Sequence, residues 1–219
     1  MSPLPHDTSP GTDASPSRSQ EHPEAPHDAS IAHACAARAS QLMACAAHRN
    51  SPDACLFAKL IAAREVRNEL ALLGLSHDDL RALFLRHFSL APFQTGTHTH
   101  AIGVNTQEYA EFVAALRALT LTYASATVDA EDARCLASII AHACLRPDHL
   151  WRDLGLAGRE EVTAMLERYF PELVSRNVAN LRWKKFLAQQ LALSLGQEPG
   201  PAPGCPGCED YAHCFPPSA

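Results

Sequence analysis

Cys205, Cys208 and Cys214 sit together near the carboxyl end, in the run CPGCEDYAHC. Thiolate sulfur is a soft donor, and three such donors suit zinc, iron–sulfur clusters and other thiophilic metals rather than calcium or magnesium. The Cys205–Cys208 spacing lets both sulfurs turn toward one centre, and the longer step to Cys214 lets the chain wrap round and deliver a third. The tail around them is rich in Pro and Gly and cannot build a packed core of its own. A thiolate-held metal or metal–sulfur cluster is the most economical reason for it to order. Spacing alone points to a metal without choosing which.

The remaining candidate donors have simpler readings. Cys35, Cys45 and Cys55 lie ten residues apart, a step that turns a helix by about 280°, so the first two cannot share a face. Free cysteine behaves as a small apolar group, and core packing is expected for these three and for Cys135. Cys144 ends a helix just before Pro147 and is a candidate ligand or cluster neighbour. His149 suits either metal binding or capping of the preceding helix, with the structural role favoured. His98 and His100, in Thr-His-Thr-His, fall in a Thr/Gly-rich stretch and read as a solvated loop, as do His6, His22 and His27.

The elements that must position these residues are helical. Residues 1–29 are rich in Pro, Ser, His and Asp and read as disordered. An Ala-rich helix is expected from Ser30 to about His48. Ser51-Pro52-Asp53 supplies a capping side chain followed by Pro at the first helical position. Behind it an apolar stripe from Phe57 through Leu60, Ile61, Val66 and Leu70 to Leu73 is stopped by Gly74. Ser76 opens a helix carrying Leu80, Leu83, Phe84 and Phe88, and residues 89–104 read as a loop. Asn105 with Glu108 makes a capping box; Asp129 starts a helix through Leu136 and Ile140. Gly158 to Phe170 forms another, with Trp151, Leu154 and Leu156 as the core of the turn before it. One long helix is expected from Pro171 to Gly196. No stretch alternates with the period of a strand. The expectation is an all-α single domain of six or seven helices over 30–195, with an extended cysteine-containing tail over 196–219.

At 219 residues with 47% hydrophobic content, the chain has the material for one medium core. A formal charge of −6 argues against sequence-independent nucleic-acid binding, which needs a basic surplus. No apolar run approaches the roughly 20 residues that span a bilayer. The amino terminus has neither a basic start nor an apolar core of a secretory signal, which implies a cytoplasmic location where thiols stay reduced. The eight cysteines then read as ligands or buried side chains, not as disulfides. No Gly-rich phosphate loop, nucleophile elbow or zinc-protease helix is present, so no enzyme activity is expected.

Four blocks recur in fixed order: Ala143-Cys144-Leu-Arg-Pro-Asp148-His149-Leu-Trp151-Arg-Asp153-Leu-Gly155; Tyr169-Phe-Pro-Glu-Leu173; Arg176-Asn177-x-x-Asn180-x-Arg182-Trp183-Lys184-Lys185-Phe186; and Cys208-Glu-Asp-Tyr-Ala-His-Cys214-Phe215. In this arrangement, dense from Ala141 to Phe215 and looser from Ser30 to Ile140, the chain resembles the NifQ family of nitrogen-fixation accessory proteins. The resemblance implies an iron–sulfur protein that carries molybdenum in a mixed molybdenum–iron–sulfur cluster toward the nitrogenase iron–molybdenum cofactor. It also implies molybdate as the metal source, and the cofactor-assembly scaffold and the nitrogenase iron protein as partners.

The family's tail has four cysteines. The last three correspond to Cys205, Cys208 and Cys214, and the place of the first is taken by Gly200. Three consequences stand open: three protein thiolates with one free metal corner, a substitute ligand such as His213 or Cys144, or weak cluster binding. Arg176, Arg182, Lys184 and Lys185 outnumber Glu172 in the preceding segment. They read either as a solvated face or as a patch that balances cluster charge and attracts an oxyanion or acidic partner. The alternative of another class is a structural zinc module closed by the three cysteines and His213. The adjacency of His213 and Cys214 strains that arrangement.

Overall fold

The computed structural model describes residues 26–88 and 109–216, and all regular structure among them is helical. The helices are α1 (Pro26–Ala44), α2 (Pro52–Glu65), α3 (His77–His87), α4 (Ala110–Leu121), α5 (Ala130–Ala143), α6 (Leu150–Leu154), α7 (Arg159–Tyr169), α8 (Pro171–Arg176), α9 (Trp183–Ser194) and α10 (Tyr211–Cys214). Single 3₁₀ turns add Leu70–Leu73 and Cys205–Gly207. Among the described residues, no helix is long and apolar enough to cross a membrane. Of the segment 1–29 expected to be disordered, 26–29 belong to α1; residues 1–25, the loop with His98 and His100, and the Asn105–Glu108 capping box lie outside the described residues.

Helix starts follow the capping chemistry in the sequence. Ser51 Oγ accepts from the Ala54 N–H at 3.2 Å with Pro52 behind it, and Ser76 Oγ accepts from the Asp79 N–H at 3.1 Å. Asp129 Oδ1 accepts from the N–H groups of Glu131 and Asp132, satisfying two donors that the helix leaves free. α5 runs through the centre. Leu136, Ile140 and Ala141 are fully buried, against Phe57 and Ile61 of α2, Leu166 and Tyr169 of α7, and Phe186 and Leu187 of α9 in one continuous core. Arg86 and His87 at the end of α3 reach Asp132 of α5 at 2.9 and 2.8 Å, tying the two helices by a buried carboxylate.

Two expected long helices are broken, each at an asparagine. α2 stops at Glu65, and Asn68 takes the left-handed conformation with φ 56° before the 3₁₀ turn that ends at Gly74. The segment from Pro171 divides into α8 and α9 around Asn180, with φ 49°. Asparagine tolerates this region better than other side-chain-bearing residues. Here it lets the chain reverse where a straight helix would carry Leu70, Leu73 and Trp183 away from the core. α1 begins at Pro26, four residues before the expected start, and ends at Ala44. With the added short α6 and α10, the break at Asn180 accounts for ten helices among the described residues where six or seven were expected.

The tail after α9 is not simply extended. Ala202 is fully buried and Cys205 is 8% exposed. The Gly204 N–H donates to the Cys144 carbonyl at 3.0 Å. A Cβ at Gly204 would lie 2.1 Å from the Arg146 carbonyl oxygen, and one at Gly207 would lie 2.4 Å from Pro147 Cβ. These two glycines let the tail lie flat on the Cys144–Pro147 turn.

Candidate functional site

Where the tail crosses that turn, it closes one side of a cleft. Cys205, Cys208 and Cys214 line it, together with Asp148, His149 and Trp151 of the α5–α6 region and Arg182 to Lys185 at the start of α9. Its atom-free volume is about 560 Å³, in part open to solvent. Cys205 opens a 3₁₀ turn, after which the Cys208 N–H donates to the Cys205 carbonyl at 2.9 Å. The Tyr211 N–H then donates to the Cys208 carbonyl at 3.0 Å, and the Cys214 N–H to the Asp210 carbonyl at 3.0 Å, so α10 brings the third cysteine back. The three candidate ligands are therefore gathered on one cavity by local backbone turns. All are free thiols. Among the described residues, no three His, Cys, Asp or Glu side chains converge tightly enough to hold a single metal ion.

Four groups on the body fasten the tail. Arg182 meets the Asp210 carboxylate at 2.5 Å, and Arg152 donates to Glu209 at 2.8 Å. His149 Nε2 lies 3.2 Å from Asp210 and 3.5 Å from Glu209. The Lys185 ammonium donates to the Cys214 carbonyl and sits 4.8 Å from the centre of the Phe215 ring. Half-exposed ion pairs of this kind contribute at most about 1 kcal/mol each. The tail is thus held by several weak ties and by burial of Ala202 and Cys205.

Beneath the cleft lies a buried polar centre. Asp153 accepts from Arg146 Nε at 3.0 Å and from the Lys184 ammonium; Arg146 and Arg64 also donate to its carbonyl. Lys184 donates in addition to the Arg146 carbonyl at 2.7 Å, and Arg64 to Glu69 at 2.6 Å. Three cations face one buried and one part-buried carboxylate, which leaves a surplus positive charge below the cysteines. Burial pushes the Cys205 thiol up, while the Lys184 ammonium acts in the opposite sense. A surplus cation there favours thiolates and anionic clusters. Soft sulfur donors on one cavity, over a positive floor, match what a thiolate-bound metal–sulfur centre requires.

The positions of the expected site residues differ. Arg182 and Lys185 face the tail, as a patch beside the cysteines should. Lys184 departs from that patch. It is 5% exposed and its ammonium is consumed by Asp153 and Arg146, because the first turn of α9 points it inward with Trp183 while Lys185 faces the tail. Arg176 lies over the Tyr123 ring at 4.8 Å and takes no part in the cleft. Cys144 is fully buried behind Cys205, is not among the cleft-lining residues, and has its thiol pushed up to about 12, chiefly by burial. His213 is exposed and also outside the cleft lining. Gly200 borders a second hollow shared with Cys214, Lys185 and Gln189, and no atom lies within 4 Å of where its Cβ would stand.

Of the cysteines expected in the core, Cys135 is buried, Cys35 and Cys45 are half-buried, and Cys55 is exposed. Cys55 is on the outer side of α2, beside the buried Ala54 and one turn from Ala58. Sequence reasoning missed the ties that hold the tail: Arg152, the Glu209–Asp210 pair, and the contact of His149 with both acids. A signal was present, since two acids between Cys208 and Cys214 face a basic Arg152 and Arg182 in the neighbouring blocks. His149, for which capping of the preceding helix was favoured, stands at the start of α6 without a side-chain capping bond there, and its Nε2 faces Glu209 and Asp210.

The NifQ family model matches residues 54–216, from the first turn of α2 through α10. Protein NifQ of Azotobacter vinelandii is 49% identical over 80 residues, spanning 36% of this chain and 41% of that protein. A NifQ homolog of Sinorhizobium fredii is 38% identical over 142 residues, 65% of this chain and 60% of its own length. Protein NifQ of Rhodobacter capsulatus is 34% identical over 147 residues, 67% of this chain and 77% of its own. The match thus spans less than two thirds of the first two relatives. No solved structure matches the chain. With the family match extending from α2 through the cysteine tail, the chain belongs to the NifQ family.

Proposed function

We propose that this chain acts in nitrogen fixation as a carrier that holds a molybdenum–iron–sulfur cluster and donates its molybdenum to assembly of the nitrogenase iron–molybdenum cofactor. The observation that carries the reading is the gathering of Cys205, Cys208 and Cys214 on one cleft, above the surplus positive charge around Asp153. The three cysteines would hold the cargo through thiolate sulfur. Arg182 and Lys185 fix the tail and offset anionic charge, and the weak ion pairs at Glu209 and Asp210 let the tail loosen for exchange. The chemistry is ligand exchange and not turnover of a substrate. Molybdate is the source, and the cofactor-assembly scaffold and nitrogenase iron protein are the recipients.

A structural zinc module built on the same cysteines and His213 is less well supported. One tetrahedral ion needs its ligands about 2.0–2.3 Å from a single point, whereas a cluster spreads its thiolates over separate metals. The exposed His213 lies off the cleft lining. Delivery is the test. Protein loaded anaerobically with iron, sulfide and molybdate is mixed with the assembly scaffold, the two are separated, and molybdenum is counted on each. Transfer that depends on Cys205, Cys208 and Cys214 is expected; stoichiometric zinc with no molybdenum bound or moved would refute the proposal.

A further inference from the structure

We infer that His149 supplies the fourth donor to the metal–sulfur centre, with Asp210 as the carboxylate that orients its ring. This rests on the carrier reading above and answers the question posed by Gly200. The other two substitutes are poorly placed, since neither the buried Cys144 nor the exposed His213 lines the cleft that the three cysteines share. His149 does line it. The cationic side chains there, Arg159, Arg182, Lys184 and Lys185, have no lone pair to offer a metal. Asp148 is a hard oxygen donor, less suited to an iron–sulfur centre than imidazole, and its Oδ1 already accepts from the His149 N–H at 2.6 Å and from Arg152 at 3.3 Å.

The imidazole is prepared for the task. Its side chain is 12% exposed, and its ring lies parallel to Trp151, with centroids 6.3 Å apart and planes 6° from one another. That contact fixes the ring plane without using either nitrogen. Nε2 faces the Asp210 carboxylate at 3.2 Å, and Nδ1 makes no hydrogen bond among the described residues. An Nε2–H held by a carboxylate leaves the lone pair on Nδ1, which is the carboxylate–histidine pairing that orients metal-bound imidazole. Asp210 is itself pinned by Arg182, so the tail that carries the three cysteines also sets the tautomer of the fourth donor. Exchanging a thiolate for a neutral imidazole removes one negative charge and raises the potential of an iron–sulfur centre.

The test uses the full chain with histidine labelled by nitrogen-15 in the imidazole ring, reconstituted anaerobically with ferrous iron and sulfide and then reduced. Pulsed electron paramagnetic resonance should show coupling to an imidazole nitrogen. The coupling should vanish in His149→Phe, whose flat ring preserves the stack on Trp151, and persist in His213→Ala. His149→Cys should shift the reduction potential downward. Gly200→Cys, placed where no atom obstructs a side chain, should restore cluster retention in the His149→Phe background. An iron–sulfur signal without imidazole coupling, or coupling that survives His149→Phe, overturns the inference and leaves the carrier reading standing. A wild-type chain that binds no iron defeats both.

Discussion

Asp153 and Lys184 form a pair, yet removing one should cost far more than removing the other. Asp153 is the one fully buried carboxylate among Arg64, Arg146 and Lys184. Asp153→Asn keeps the shape but leaves three cations with only the part-buried Glu69 as counter-charge. Breaking a buried pair from that side costs about 3–5 kcal/mol. Lys184→Met keeps the apolar stem and leaves Asp153 its 3.0 Å bond from Arg146. The loss is then two hydrogen bonds, about 1–2 kcal/mol. Both tryptophans, Trp151 and Trp183, line the cleft next to this centre, so their fluorescence in a urea titration of the metal-free protein reads its unfolding. With a slope of about 1–3 kcal/mol per molar, Asp153→Asn should lower the midpoint by about 2 M and Lys184→Met by less than half as much. Equal costs, or an Asp153→Asn midpoint within experimental error of the parent, would refute the charge count. A Lys184→Met chain that unfolds normally but fails to bind anions would restore Lys184 to the surface patch.

Other outcomes follow from the same geometry. Gly204→Ala places a methyl group 2.1 Å from the Arg146 carbonyl and should lift the tail, seen as faster proteolysis between residues 197 and 216 with the helical body intact. In the folded metal-free protein, a maleimide should modify the exposed Cys55 promptly and spare Cys144, which is fully buried and has its thiol pushed up to about 12; rapid labelling of Cys144 before unfolding would contradict its placement. The hydrogen bond from Arg168 holds the Asp53 carboxyl below the usual carboxylate range, helped by Tyr169. A depressed carboxylate stabilises the fold above its unfolded pKa of about 3.9 and loses that contribution as pH falls through its folded value. Asp53→Asn should therefore cost about 1 kcal/mol at neutral pH, discounted for the half-exposed Arg168, and converge with the parent in acid; a pH-independent difference would be inconsistent with this.

Helix class, the capped starts at Ser51, Ser76 and Asp129, and the three-cysteine cleft were legible because local chemistry determines them. A capping hydroxyl or carboxylate acts on N–H groups two or three residues away, and Cys205 to Cys208 is a single turn. The breaks at Asn68 and Asn180 were not legible from apolar periodicity, since Val66, Leu70 and Leu73 continue the stripe across the first one. Only the left-handed preference of asparagine marked them. The inward turn of Lys184 depended on a partner 31 residues earlier, Asp153, and no local pattern announces such a pairing. The contact of His149 with Glu209 and Asp210 was hidden for the same reason, because those partners come from the far end of the chain.

The account depends most on whether three sulfurs hold one centre. Iron, sulfide and molybdenum should be counted on anaerobically reconstituted wild-type protein and on chains with Cys205, Cys208 and Cys214 each replaced by serine. The account predicts a cluster spectrum and bound molybdenum in the wild type, with a loss of both in every single replacement. Metal content unchanged in the three variants would contradict it.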